Sequence, residues 1–530
     1  MSNYHSHYYP QSRYEHPKPK GTSTSHERHP LAPRYSSNPA LQQRNLPHFN
    51  SIQTIPELIQ IAHANITTLT PSSIAAFWNK MSKLVSGRNV PISSLPNHDE
   101  ELQLGSYLHR IFDHTQNNML GFFSMKDLSQ AIYSMAKLVD VLRKNYERRR
   151  GIGDDIVDVL SRRLLNSDLT PKKELFHSFA CAVRDKIDKF DARGLSNIAY
   201  AYALIGYVPN FHDGSDLFDL IAAQAVQQRI EFNPQDLANT VWAYATAGIN
   251  HPRLFEKMAN HIVKSDILHR FDPQALANTV WAYATAQVSH PKLFQKVASA
   301  ALQRKTEFNS LDVAHLLWAY ATLGIVEKQL FLSFVPTAAK LIDFCNNQDL
   351  ANIAWAYTVA DVEEASLFNR KFITLDEKNE GFEVEALGQL YQWHLWQTKE
   401  KCNPGLPEEL SDRCHEAFIS QDVQPSRLQG DVASQLSSIG LDPKEEVLMG
   451  SGNRIDAIVE VNGKQVGIEV DGPYHFIGRS KSPLAKTILK RRQVSSIDGT
   501  ELVSVPYWEW DKLGEDQTEK QEYLRNLLGL

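Results

Sequence analysis

Two segments near the C-terminus carry acidic side chains at strand spacing, Arg454–Val461 (RIDAIVEV) and Lys464–Asp471 (KQVGIEVD). Asn462-Gly463 stands between them. Both residues accept positive φ, so this dipeptide favours a two-residue hairpin turn. The turn sets Val461 against Lys464, and with that register Asp456 falls opposite Glu469 and Arg454 opposite Asp471. Ile455, Ala457 and Val459 with Val466, Ile468 and Val470 then make the other, apolar face. Like charges directly across a ladder destabilise it. Three readings of the Asp456–Glu469 pair stand open. A divalent cation bridges them, Mg²⁺ by preference for hard oxygens; Arg454 or a helix lysine neutralises them; or a bulge shifts the register.

Just downstream, Gly478–Val494 holds Arg479, Lys481, Lys486, Lys490, Arg491 and Arg492 and no acid. Six positive charges in one loop and helix suit a phosphate backbone, and the plain alternative is a solvated helix face. With Mg²⁺ on Asp456 and Glu469 the chemistry would be phosphodiester hydrolysis, the metal activating water and stabilising the leaving oxygen. Lys486 or Lys490 would orient the phosphate and His475 would serve as acid or base. The catalytic set is then Asp456, Glu469, Asp471, His475 and Lys490, and Asp471 has the simpler option of pairing with Arg454. Tyr507, Trp508 and Trp510 read as core or strand-end aromatics.

These groups need a scaffold, and the pattern supplies one. The predicted elements are a helix (Ser426–Ile439), strands Glu445–Met449, Arg454–Val461 and Lys464–Val470, a helix (Pro483–Ile497), a strand (Leu502–Trp508) and a final helix (Gln517–Leu528).

The middle of the chain is periodic. FNPQDLANTVWAYATAGINHPRLF from Phe232 returns as FDPQALANTVWAYATAQVSHPKLF from Phe271, and weaker copies start at Phe190, Phe308 and Cys345. The anchors Tyr200, Trp242, Trp281, Trp318 and Trp355 are spaced 42, 39, 37 and 37 residues apart. Fainter copies centre on Trp78, Tyr133 and Gln392, which gives about seven or eight units. Each unit reads as two helices. Asn233 or Asp272 caps the first, with Pro234 or Pro273 at its first position. Gly248 or Gly324 ends it, and Asn250 or Ser289 caps the second. Such hairpins bury their apolar faces only by stacking, as an α-solenoid. The Trp/Tyr stripe reads as core. Asn197, Asn239, Asn278 and Asn352, with His315 as the exception, form a polar row that either bonds between units or touches RNA bases. Residues that vary between units are the better base readers: Gly248, Gln287, Gly324 and Asp361, or Asn250, Ser289, Val326 and Glu363. From Phe232 to Arg370 there are 11 Lys/Arg and 12 Asp/Glu. This near-neutral stretch is a weak backbone binder by itself. Arg143, Lys144, Arg148, Arg149 and Arg150 form a basic cluster upstream, read as a solvated face.

Residues 1–50 are rich in His, Tyr, Pro and Ser, with six Lys/Arg against Glu15 and Glu27. They read as a disordered tail with a lean toward an organelle transit peptide. The whole chain has 530 residues, 42% hydrophobic, and a formal charge of −6. Those values exclude a globally basic protein and wholesale disorder. Four scattered cysteines form neither a disulfide framework nor a zinc pattern, and no apolar run is long enough to span a membrane.

The stretch IEVDGPYHF (Ile468–Phe476), followed by a basic helix, the strand VSVPYWEW and a closing helix, resembles the RAP domain. That family is similar to very-short-patch-repair-like endonucleases of the PD-(D/E)xK fold, although the lysine position of that motif holds Asp471. The LANTVWAYAT repeats resemble the octotricopeptide/heptatricopeptide arrays that often precede RAP domains. The resemblance implies a multidomain chain: a tail (1–50), an α-solenoid of helix-hairpin repeats (51–400), a linker (401–424) and a restriction-endonuclease-like α/β domain (425–530). It implies a protein that binds single-stranded RNA in RNA processing, stability or rRNA/mRNA maturation, in a mitochondrion or other organelle, with the ribosome or RNA-processing proteins as partners. Nucleic-acid contacts would come from the six cations named above with Asn239, Asn278 and Asn352. The alternatives are a Mg²⁺-dependent endoribonuclease, a protein-binding solenoid, or a cytoplasmic or bacterial effector scaffold. In the last case the acidic end (Glu515, Asp516, Glu519, Glu522) would serve as an address for delivery into a host cell.

Overall fold

The computed structural model describes residues 49–86, 98–146, 156–227, 231–363, 381–420, 425–478 and 480–530. Residues 1–48 of the tail, Arg148–Arg150 and Arg479 lie outside the described residues, whereas Phe49, at the tail's end, is buried in the array. Most of the chain is a two-layer helical array. After α1 (Ile55–Ala64), the first helices of successive units are α2 (Pro71–Ser86), α4 (Met125–Tyr146), α7 (Ala192–Ile205), α9 (Pro234–Thr246), α11 (Pro273–Thr285), α13 (Ser310–Thr322), α15 (Asn347–Ala360) and α16 (Val384–Leu395). The second layer holds α3 (His98–Asp113), α6 (Lys173–Arg184), α8 (Leu217–Gln227), α10 (Pro252–Ser265), α12 (Pro291–Gln303) and α14 (Lys328–Leu341), with α5 (Ile156–Leu164) between α4 and α6. First helices pack closely on one another along the array and second helices much less so. The first helices therefore form the inner layer of a curved solenoid.

The sequence dictates this pattern unit by unit. Asn233 accepts from the Asp236 amide and Asp236 accepts from the Asn233 amide, with Pro234 at the first position. Asp272 caps α11 by accepting from the Ala275 amide, with Pro273 at the first position and no reciprocal bond. The second helices start one residue later than the sequence reading placed them. His251 and His290, not Asn250 and Ser289, are the caps, each Nδ1 accepting from an amide three residues on. Pro252 and Pro291 occupy the first helical position and hold the preceding residue out of helical geometry.

In the five units from α7 to α15, one tyrosine per unit locks the layers. Tyr202, Tyr244, Tyr283, Tyr320 and Tyr357 are fully buried. Each hydroxyl donates to a phenylalanine carbonyl of the preceding unit's second helix: Phe176, Phe218, Phe255, Phe294 and Phe331, at 2.5 to 2.9 Å. The aromatic stripe is core, as its spacing implies.

In the units from α7 to α15 the position that follows the first helix, 206, 248, 287, 324 or 361, is left-handed. Glycine fills it in three units, but Gln287 and Asp361 adopt φ +54° and +50°. Residue choice here follows backbone conformation, which removes the main reason to treat the position as a base reader. Arg143 is not a solvated charge either. It donates to the carbonyls of Leu169 and Ile205 and ties α4 to the next unit.

The stretch 401–424 holds a helix, α17 (Glu408–Ile419), where a linker was expected. It packs on α16 through buried Leu410 and Cys414. Beyond it come α18 (Arg427–Ser438), β1 (Lys444–Leu448), β2 (Arg454–Val461), β3 (Lys464–Asp471), α19 (Ala485–Gln493), β4 (Glu501–Pro506) and α20 (Gln517–Leu528). The sheet order is β1-β2-β3-β4, antiparallel except for β3–β4, which is parallel and joined through α19. The last strand stops at Pro506. Residues Tyr507–Trp510 turn helically, which brings Trp510 into the sheet core and its indole N–H to Asp431 at 2.9 Å. Val432, Leu436, Ala457, Val459, Val466, Ile468, Val470 and Leu524 share that core.

The other face of the sheet is covered by α19, and α19 in turn lies on the array. Ile477, Leu484, Ala485 and Leu489 belong to the array's own continuous core. A side chain at Gly478 would come within 3.0 Å of the Gln287 carbonyl, so the two segments meet backbone to backbone there. Gln287 has no glycine to relieve its left-handed conformation. Replacing it by glycine is expected to raise stability by about 1 kcal/mol in urea unfolding; unchanged or lower stability would show that its side chain matters more than its backbone.

Candidate nucleic-acid interface

The hairpin register is the one the Asn-Gly turn requires, from Val461 opposite Lys464 to Ala457 opposite Ile468. Regular pairing ends there. Asp456 accepts from the Val470 amide at 2.6 Å and from the Gln429 side-chain amide at 2.6 Å. Those bonds occupy its carboxylate. Glu469 is almost wholly buried and meets the Lys490 ammonium at 2.7 Å. Burial pushes its pKa up to about 7, against the pull of Lys490. Helix-lysine neutralisation, one of the three readings, is therefore what the fold uses for Glu469.

Asp471 does not pair with Arg454. It is buried and accepts from His475 Nδ1 at 2.8 Å and from Arg491 and Ser504. Burial would raise its pKa, but these donors together hold it below the usual carboxylate value. Arg454 instead donates to the Glu446 carbonyl at 3.1 Å. Strands β2 and β3 part just where such a pair would form. The Mg²⁺ expectation does not fit these donors, since Glu469 is held by an ammonium and both Asp456 oxygens accept hydrogen bonds. Among the described residues no group of three or more His, Cys, Asp or Glu is placed to hold a metal ion.

The basic stretch also has internal duties. Lys490 and Arg491 face the sheet. Arg492 donates to the Thr358 carbonyl in the last turn of α15 at 2.8 Å and pairs with Glu400 at 3.1 Å. Gln493 donates to the Gln392 carbonyl at 2.9 Å. Cations and donors at the carbonyl ends of helices are favoured by the helix dipole. Lys481 lies over the Trp508 ring, 5.6 Å from its centroid. Of the five described cations, Lys486 alone has no ion-pair, hydrogen-bond or ring partner among the described residues, and partial desolvation lowers its pKa.

Lys486 lines a cleft of about 280 Å³ between the two parts of the chain. Gln392, Phe418 and Ile419 form the array side; Arg454, Asn453, Glu469 and His475 form the sheet side, with Thr487 and Lys490 from α19. The sequence reading missed Gln392, Asn453 and Thr487. One signal was present: Gln392 takes the place of the repeat aromatic, and its side chain accepts from the Trp355 indole at 2.9 Å.

The inner face of the array runs toward this cleft. In α9 it presents Gln235, Asn239, Trp242 and Thr246, and equivalent positions follow in each unit. Asn278 accepts from His315 at 3.2 Å, and Asn352 from Gln348 and Gln389, each at 3.1 Å. Burial pushes the His315 pKa down to about 4, so the ring is neutral in this ladder. Among the described residues, Asn197 and Asn239 have no such side-chain partner and keep their amides open to a ligand.

Comparison with known proteins places both parts. The RAP domain family matches residues 468–527, and the family described as RNA-editing substrate-binding complex 6 protein matches residues 211–370. A rice protein (Oryza sativa subsp. japonica) described as "RAP domain-containing protein, chloroplastic" is 36% identical over 104 residues, which is 20% of this chain and 16% of that protein. The chain is a RAP-domain-containing protein with a helical-repeat region upstream of that domain.

Lys490→Ala would leave Glu469 buried without its cation, a loss of about 3 kcal/mol. A carboxyl whose folded pKa is raised loses stability as pH climbs from its unfolded value through its folded one. The variant should therefore be weaker at pH 8 than at pH 5 in urea unfolding, and adding Glu469→Gln should recover most of the loss at pH 8. A loss independent of pH and not rescued would contradict the pairing.

Proposed function

We propose that this chain is an RNA-binding protein of RNA processing, in which the inner face of the array cradles a single strand and the RAP domain closes one end of the path. The observation that carries this reading is the inner face itself. From α9 to α15 it is a row of amides, hydroxyls and buried or half-buried aromatics that leads to Gln392 on the rim of the cleft, with charge entering only at its ends through Lys137, Arg193 and Glu385. Such a surface suits bases splayed from a single strand better than the regular phosphate rails of a duplex. The family description for residues 211–370 agrees with an RNA role, and the rice relative's name favours an organellar compartment. Among the described residues no helix is long and apolar enough to cross a membrane.

The αβββαβα order supports descent of the RAP domain from a PD-(D/E)xK-like nuclease fold. In this reading the acidic positions have become structural, held by α19 and by backbone amides, so the domain binds rather than cleaves.

The full chain should bind a single-stranded RNA of about 20 nucleotides and prefer it to the matching duplex. Affinity should fall about tenfold in Asn197→Ala/Asn239→Ala, at about one kcal/mol or less per lost bond, with thermal unfolding unchanged. The salt dependence should be shallow, because few phosphates are neutralised. Equal affinity for duplex, or no effect of the double substitution, would overturn the cradle.

A further inference from the structure

The cleft combines three features. It joins the last rung of the inner face, Gln392, to the RAP domain. Its one carboxylate, Glu469, is already matched by Lys490. That leaves Lys486 with no acidic partner among the described residues and Arg454 spending one donor on a backbone carbonyl. Among the side chains lining the cleft, Arg454, Lys486 and Lys490 thus outnumber the one carboxylate.

Position adds to charge. Lys486 and Thr487 lie in the first turn of α19, where the helix dipole favours an anion. His475 Nδ1 is committed to Asp471, which fixes the ring and leaves Nε2 as its remaining polar atom. The Leu484 amide donates to the His475 carbonyl at 2.8 Å, so the cationic turn and the imidazole are braced as one unit. Phe418 and Ile419 close the array side with apolar surface, and a charge–charge contact gains strength where water is displaced.

We propose that this cleft binds a phosphate group of the RNA strand, held by Lys486 with Thr487 and Arg454 and delivered along the inner face past Gln392. The proposal rests on the RNA-binding reading above for the identity of its ligand, but not for the existence of the anion site. The group is either a terminal phosphate of the strand or an internal phosphodiester, and experiment separates the two.

Full-length protein would be tested with one 20-nucleotide RNA in three forms: 5′-phosphorylated, 3′-phosphorylated and unphosphorylated. The variants are Lys486→Gln and the charge-retaining Lys486→Arg. A terminal-phosphate site predicts that Lys486→Gln loses about tenfold in affinity for one phosphorylated form only, with recovery in Lys486→Arg. An internal-phosphodiester site predicts an equal loss for all three forms and a salt slope smaller by about 0.7, one phosphate contact on a single strand. Either result supports the cleft. Equal binding of all forms by wild type and Lys486→Gln would overturn it.

A second measurement keeps the two readings apart. Adenosine monophosphate should raise the melting temperature of wild type and Lys486→Arg, but not of Lys486→Gln, at matched ionic strength. If the chain binds no RNA yet shows this Lys486-dependent shift, the RNA reading fails and the anion site stands. If RNA binds but neither Lys486-dependent effect is seen, the anion site fails and the cradle stands.

Discussion

Two buried carboxylates on one strand cannot stay ionised without cations, and the rest of the C-terminal half is built around meeting that need. Glu469 and Asp471 alternate on β3 and point to the same face of the sheet. Helix α19 answers them with Lys490 and Arg491. Successive helical residues project about 100° apart. The next two residues, Arg492 and Gln493, therefore turn away from the sheet and reach carbonyl oxygens of the array. One short helix thus neutralises the sheet on one side and docks it on the solenoid with the other. The position of the RAP domain on the array, and the cleft between them, follow from this double role.

The array places a regular surface beside that junction. Its regularity comes from a buried phenol in each of the five units from α7 to α15, tied to the preceding unit's backbone, and from close stacking of the first helices. The same stacking turns Asn278 and Asn352 toward their neighbours and away from a ligand, whereas Asn197 and Asn239 stay open. A residue repeated along a solenoid can therefore be structural in one unit and available in another. The few charges on this face, and a lysine at its end with no ion-pair partner among the described residues, suit the proposed path, which contacts bases broadly and a phosphate locally.

Much of this was legible in the sequence. The repeat period, the Asn/Asp-Pro helix starts, the Asn-Gly turn and the hairpin register all come from local rules, and each stands in the structure as those rules require. What escaped depends on long-range contacts. The cations after Gly478 look like a free phosphate clamp because the partners of Lys490, Arg491 and Arg492, namely Glu469, Asp471, Glu400 and Thr358, lie outside the basic stretch. The helix in 401–424 carries a short apolar stripe, Leu410, Cys414, Ala417 and Phe418, which the flanking Pro404 and Pro407 masked as linker and which packs where α16 offers a surface. The histidine caps were hidden because histidine is a rare cap, although Pro252 and Pro291 mark the helix start. The cleft is assembled from segments some 100 residues apart, and only the change from aromatic to Gln392 hinted at it.

The docking of α19 on the array is the claim on which the account turns. A double-mutant cycle on Arg492→Ala and Glu400→Gln, read by urea unfolding of the full chain, tests it most directly. Contact across the junction predicts a coupling of about 1 kcal/mol or more between the two substitutions. Strictly additive losses, with no coupling, would mean that the RAP domain does not rest on the array in this way.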